Sequence, residues 1–295
     1  MKNTIFTGAG TALVTPMNPD GSINYDVFGA NIDWQIEQGI DAVIVCGTTG
    51  EASTLTDEEH VELVRYCVER TSKRVPVIAG TGSNDTAYSV WLSKEAERVG
   101  ADALLQVTPY YNKTSQKGLI RHFTEIAESV SIPIVLYNVP IRTGMSISTD
   151  TYKTLSEISN IVATKEASSN ISAIAEIIAA CGDDLDVYSG NDSEIVPIMS
   201  LGGKGVISTC GNIIPNVAHE ITALCLSGEF KKAAELQLKY LNLMNTLFVD
   251  VNPIPVKAAL NMMGRNVGEC RLPLIEADDT TKAKVKSAMQ GVGLI

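Results

Sequence analysis

The stretch Ile161-Val162-Ala163-Thr164-Lys165-Glu166-Ala167 places an amine where a buried strand would carry an apolar side chain. Its β-branched residues and alanines read as a strand, and Ser168-Ser169-Asn170 directly after it reads as a loop. An unpartnered ammonium is costly to bury, and the usual escape is the neutral amine, which is a nucleophile. An ion pair with a neighbour, or a place in water at the strand's end, is the competing account of Lys165.

Other residues that could serve such an amine fall in short, punctuated segments. Thr48 and Thr49 lie between glycines in Gly47-Thr48-Thr49-Gly50-Glu51, and Tyr110 and Tyr111 follow Thr108-Pro109. Tyr137 opens Tyr137-Asn138-Val139-Pro140, with Arg142 just beyond; Gly190 and Ile207 sit near the ends of two further apolar runs. Together they offer one nucleophile, hydroxyls able to relay protons, and a guanidinium for a carboxylate. Each also has a plain structural account. The threonines could only make a tight turn, the paired tyrosines an interface contact, Tyr137 a core position, and Arg142 a solvated charge. What favours chemistry is that all of them fall at strand ends.

Those strands recur. Apolar runs at 12–15, 42–46, 75–79, 103–107, 133–136, 161–167, 185–189 and 205–208 have ends spaced roughly 18 to 33 residues apart, close to the length of a βαβ unit. Helical patterns separate many of them: 25–38, then a capped segment opening at Thr56-Asp57-Glu58-Glu59, then patterns ending near 99, 129 and 157. Near-continuous apolar strands imply a parallel sheet covered by helices on its outer face. Eight such units predict a (β/α)8 TIM barrel, with an open doubly wound sheet as the alternative. Helical patterns at 217–226, 230–248, 255–263 and 279–290 follow. Residues 1–229 are therefore expected to form the barrel and 230–295 a C-terminal helical appendage, all within one continuous body. In a barrel, residues at the strands' C-terminal ends share one mouth.

Composition narrows the classes. With 295 residues the chain can bury a sizeable core. Twenty-three Lys and Arg against 34 Asp and Glu leave a net charge of −11, which argues against a nucleic-acid partner. The six cysteines are widely spaced with no C-x-x-C pair, as in a reducing compartment. The first residues hold no apolar signal region, and no run approaches the ~18 residues of a membrane span, so a cytoplasmic location is expected. His60, His122 and His219 form no H-E-x-x-H pattern, so no metal site is expected. Neither a dinucleotide fingerprint nor a P-loop nor a G-x-S-x-G elbow is present. Pyridoxal phosphate would want a phosphate cradle that no segment supplies.

Taken in order, Gly47-Thr48-Thr49-Gly50-Glu51, Tyr137-Asn138-Val139-Pro140 and Lys165-Glu166-Ala167 resemble the pyruvate-dependent class I aldolase superfamily, which includes the N-acetylneuraminate lyases. The likeness runs essentially end to end. The doubled threonine, Thr108-Pro109-Tyr110-Tyr111-Asn112 and Arg142-Thr143-Gly144 are similar to the branch that joins pyruvate to L-aspartate 4-semialdehyde in diaminopimelate and lysine biosynthesis. The resemblance implies a Schiff base on Lys165, Tyr137 as proton donor and acceptor, and a relay of Thr48 and Tyr111, the latter from a neighbouring subunit. It implies that Thr49 and the backbone at Ile207 hold the pyruvate carboxylate, that Arg142 holds the semialdehyde's, and that Gly190 leaves room for close backbone approach. No cofactor is implied, and the assembly would be a homotetramer, a dimer of dimers. A lyase of 2-keto-3-deoxy sugar acids or sialic acids on the same scaffold is the alternative, and Arg142 argues against it; a non-catalytic keto-acid binder is a remoter one. His60 and Asn84 match positions that bind feedback lysine in sensitive members. Asp57 and Tyr88 stand where those members carry a histidine and a glutamate, so weak or absent lysine inhibition is expected.

Overall fold

The computed structural model describes residues 2–295. Eight strands, β1 (Gly8–Ala12), β2 (Ala42–Val45), β3 (Val77–Gly80), β4 (Ala103–Val107), β5 (Ile134–Asn138), β6 (Ile161–Glu166), β7 (Asp186–Ser189) and β8 (Gly205–Ser208), pair in sequence order into a closed barrel. All pairings are parallel, and β1 meets β8 through Gly8↔Gly205 and Gly10↔Ile207. Closure leaves no sheet edge, which is how this fold avoids exposed strand donors and acceptors. At the seam Gly205 has φ +155°, and a Cβ there would collide with the Gly8 carbonyl oxygen, so only glycine lets the last strand meet the first.

The helical expectations hold with shifts of a few residues. Thr56 and Glu59 form the expected reciprocal cap on the helix Asp57–Thr71, with Glu59 N donating to Thr56 Oγ1 at 3.2 Å and Thr56 N to Glu59 Oε2 at 3.0 Å. Asn170, read as loop, is the N-cap of the helix Ile171–Cys181. The segment after Tyr137-Asn138 contains an unforeseen short helix, Pro140–Thr143, which carries Arg142.

The first strand is a correction. It was expected at 12–15, where Leu13 and Val14 are the most apolar residues, but β1 is the small-residue segment Gly-Ala-Gly-Thr-Ala. The barrel interior is too crowded for more: a Cβ on Gly10 would sit 2.8 Å from Ile44 Cδ1 and 3.0 Å from Phe6 Cζ. Phe6 stacks on Tyr188 at 4.4 Å between ring centroids and plugs the space beneath. Leu13 and Val14 are still buried, but they sit beyond the strand, where Val14 N donates to Asn212 Oδ1 at 3.1 Å.

The C-terminal helices Phe230–Thr246, Ile254–Met262 and Asp279–Gly291 pack into the same apolar cluster as the barrel helices, through Ala233, Leu243, Val256, Leu260 and Val285. Among the described residues no helix is long and apolar enough to cross a membrane.

The tail is also tied to the barrel mouth by charge. Glu51, held at φ +57° after the Thr48-Thr49 turn, meets Lys257 Nζ at 2.5 Å with both side chains almost wholly buried. Glu51 Oε2 accepts from Arg271 N at 2.9 Å, and Lys257 donates to the Glu269 carbonyl at 2.8 Å. Desolvation makes such a pair expensive, but its halves are far more expensive apart. Replacing Lys257 by methionine leaves the Glu51 carboxylate without its counter-charge and is expected to cost about 3–5 kcal/mol of stability. The urea-unfolding midpoint checks this. A variant as stable as the parent would mean that Glu51 finds solvent or another partner.

Candidate active site

At the C-terminal ends of the strands lies a cavity of about 470 Å³ whose lining includes Thr48, Thr49, Tyr137, Arg142, Lys165 and Gly190. β6 delivers Lys165 and β5 delivers Tyr137, which are direct register partners. Lys165 is only 6% exposed, and its Nζ stands 4.5 Å from the centroid of the Tyr137 ring. Among the described residues no carboxylate lies within ion-pair distance of this amine. The ion-pair account of Lys165 therefore fails, and so does exposure at the strand's end.

Alternation along the strand sends the next residue, Glu166, to the other face of the barrel wall. There its carboxylate accepts from Tyr152 Oη, from Asn138 Nδ2 at 3.0 Å and from Ser168 Oγ at 2.8 Å. Burial pushes the Glu166 carboxyl above its usual range, and these hydrogen bonds oppose the shift. Asn138 follows Tyr137 in β5 as Glu166 follows Lys165 in β6, and the two pairs are in register. The outer network thus fixes the relative height of the two inner side chains. Asp192 does similar work at β8: its Oδ1 accepts from Ser208 Oγ at 2.5 Å and its Oδ2 from Thr209 N at 3.1 Å and Cys210 N at 2.8 Å.

The threonine turn does more than reverse the chain. Gly50 N donates to the Gly47 carbonyl at 3.1 Å and Glu51 N to that of Thr48 at 3.1 Å, which presents both threonines to the cavity. Thr49 Oγ1 accepts from Asn252 Nδ2 at 2.9 Å. Arg142 reaches the rim from its short helix, and its Nη2 donates to the Asn252 carbonyl at 3.4 Å. Gly190 is glycine for an internal reason. A Cβ there would lie 2.7 Å from Ala167 Cβ and 2.9 Å from the Glu166 carbonyl oxygen, so it permits the ends of β6 and β7 to close on each other.

Two expected residues, Ile207 and Tyr111, are not among the residues that line this cavity. Ile207 is fully buried in the barrel interior with Ile44 and Tyr137, and beyond it Thr209 lines the cavity. Tyr111 lines no part of its own chain's cavity; it stands 92% exposed at φ +67°. A bulky residue in the left-handed region is strained, and here that backbone carries a fully exposed aromatic ring.

A second cavity of about 410 Å³ adjoins the first, sharing Thr48, Tyr137, Arg142 and Asn252 and adding Glu51 and His60. His60 Nε2 donates to the Gly80 carbonyl at 2.8 Å, and burial lowers its pKa. Asn84 is not part of this lining; its carbonyl accepts from Asn112 Nδ2 at 2.9 Å. Tyr88 Oη donates to Asp57 Oδ1 at 2.7 Å, so these two residues engage each other.

Among the described residues no three His, Cys, Asp or Glu side chains gather as a metal would require. Asn252, Glu166, Asp192 and the Glu51–Lys257 pair were not singled out from the sequence. Glu166 had a signal, since a second charge after Lys165 in a buried strand must find donors on the opposite face. Asn252 had none. The arrangement as a whole suits carbonyl chemistry: a desolvated amine, a phenol beside it, and hydroxyl and guanidinium donors for carboxylates.

Comparison with known proteins agrees with this geometry. A family model described as the Dihydrodipicolinate synthetase family matches residues 5–292. The 4-hydroxy-tetrahydrodipicolinate synthase of Acetivibrio thermocellus is 56% identical over the full length of both chains. A crystal structure of chloride-inhibited dihydrodipicolinate synthase from Acinetobacter baumannii complexed with pyruvate superposes with a TM-score of 0.97 at 42% identity, covering 99% of this chain and 100% of that one. The synthase from Cyanidioschyzon merolae with lysine bound gives 0.96 at 39% identity, with 99% and 100% covered. An unpaired amine at the mouth of this barrel, matched end to end, leaves no ambiguity of lineage: the chain belongs to the dihydrodipicolinate synthetase family.

Proposed function

We propose that this chain condenses pyruvate with L-aspartate 4-semialdehyde through an imine on Lys165, releasing 4-hydroxy-tetrahydrodipicolinate. One observation carries the reading. The Lys165 amine is buried with no carboxylate within ion-pair distance among the described residues, 4.5 Å from the Tyr137 ring, in a cavity that Thr48, Thr49 and Arg142 also line. The amine adds to the ketone carbon of pyruvate, and water leaves to give an iminium. The iminium draws electrons from the methyl carbon, which loses a proton toward Tyr137 and becomes an enamine. The enamine carbon attacks the aldehyde, whose oxygen takes up a proton. The second substrate's own amine then attacks the imine carbon and expels Lys165. Because the imine is itself the electron sink, the scheme calls for no cofactor.

Carboxylates need fixed donors. Thr49 and the backbone at Ile207 take the pyruvate carboxylate in this reading, and Arg142, with its planar fork, takes the semialdehyde's. Thr48 passes protons between Tyr137 and Tyr111, which arrives from a second copy of the chain within a homotetramer. The barrel, residues 1–229, carries the reacting groups, and the segment 230–295 supports its mouth.

Reduction with borohydride in the presence of pyruvate should add one reduced pyruvate to the chain, mapped to Lys165. An adduct on another lysine, or none, would sink the mechanism. Tyr111→Phe should lower turnover by about one to several orders of magnitude, the range for a general acid–base group, with the assembly unchanged in sedimentation. Unaltered turnover would remove Tyr111 from the relay. Free lysine should inhibit weakly or not at all, since Asp57 and Tyr88 are engaged with each other. Half-inhibition at sub-millimolar lysine in a coupled assay would contradict that.

A further inference from the structure

Asn252 belongs to neither the barrel nor a helix; it sits in the connection between the helices Phe230–Thr246 and Ile254–Met262. It is nevertheless 5% exposed, lines both cavities, and touches both residues assigned above to carboxylates. Its Nδ2 donates to Thr49 Oγ1 at 2.9 Å, and its main-chain carbonyl accepts from Arg142 Nη2 at 3.4 Å. Its Oδ1 is buried and has no partner among the described residues.

The chemistry of the Thr49 contact has a direction. A hydroxyl holds one proton and two lone pairs, whereas an amide nitrogen can only donate. With Asn252 occupying a lone pair of Thr49, the threonine's single proton is left to point into the cavity. A hydroxyl so held is a committed donor, which is what an incoming carboxylate oxygen requires. An acceptor in place of the amide nitrogen would capture that proton and turn a lone pair toward the anion.

We propose that Asn252 is the positioning residue of the carboxylate-binding end of the site, committing Thr49 as a donor through its side chain and anchoring Arg142 through its backbone. The inference rests on the reading that Thr49 receives the pyruvate carboxylate. It assigns the C-terminal segment a part in substrate recognition, not only in packing.

The test is the concentration of pyruvate at which borohydride traps half-maximal adduct, measured on the full-length chain and on Asn252→Ala, Asn252→Asp and Thr49→Val. Aspartate matches asparagine in shape but offers Thr49 only acceptors. It should raise the half-saturating pyruvate by about tenfold or more, as for a lost hydrogen bond to a charged group, and by more than alanine does. Trapping at saturating pyruvate should be nearly unchanged, and so should the KM for the semialdehyde in Asn252→Ala, because Arg142 is held by the main chain. In the Thr49→Val background, the uncharged change Asn252→Ala should add no further loss. An aspartate variant as good as the parent, or better than alanine, would mean that the residue only fills space or that its amide faces the other way. Additive losses in the double variant would also overturn the proposal. Asn252→Ser, whose hydroxyl can still donate, should recover part of the affinity and serves if alanine fails to fold. If the parent itself forms no adduct on Lys165, or Thr49→Val binds pyruvate normally, the assignment of Lys165 or Thr49 fails instead.

Discussion

The arrangement depends on keeping the Lys165 amine out of water without giving it an anion. Each strand of a closed parallel barrel contributes side chains alternately to the interior and to the helical shell, so a lysine near a strand's end points into a space walled by apolar neighbours. The lining provides hydroxyls, a phenol and an exposed guanidinium, and among the described residues no carboxylate lies within ion-pair reach of the amine.

The carboxylates that organise the mouth lie out of ion-pair reach of the amine. Glu166 and Asp192 face the helical shell or the connecting turns, and Glu51 faces the C-terminal segment. Each collects donors from separate pieces of chain: Glu166 links β5, β6 and the helix Thr149–Leu155, and Asp192 links the ends of β7 and β8. A buried carboxylate is tolerable only when its lone pairs are filled, so satisfying it forces those pieces into one geometry. Rigidity at the inner face is thus obtained by charge burial at the outer one, and the anions stay away from the amine.

The C-terminal helices complete this pattern. Lys257, Arg271 and Asn252 converge on the Thr48-Thr49 turn and on Glu51, whose left-handed backbone would be strained without such support. Through Asn252 the tail also reaches Arg142, so Thr49 and Arg142 both touch one connecting loop. The ring of Tyr111, by contrast, stands exposed.

Much of this was legible in the residues. Apolar runs at βαβ spacing pointed to the barrel, the capping pair at Thr56 and Glu59 marked where a helix starts, and Lys165 in a buried strand, with hydroxyls and an arginine at other strand ends, marked a candidate site whose substrates only the family resemblance implied. These signals are local or periodic, and the physics that makes them is equally local. The first strand escaped because barrel interiors select for size as well as hydrophobicity, and a run of glycine and alanine carries no apolar signal. Asn252 escaped because its importance lies wholly in a contact across about two hundred positions, between a loop without periodicity and a turn at the mouth. Which strand ends meet, where each buried carboxylate finds its donors, and which way the Thr49 proton points were decided only when the barrel closed. Hydrogen-bond partners distant in the chain are chosen by geometry that no single segment contains.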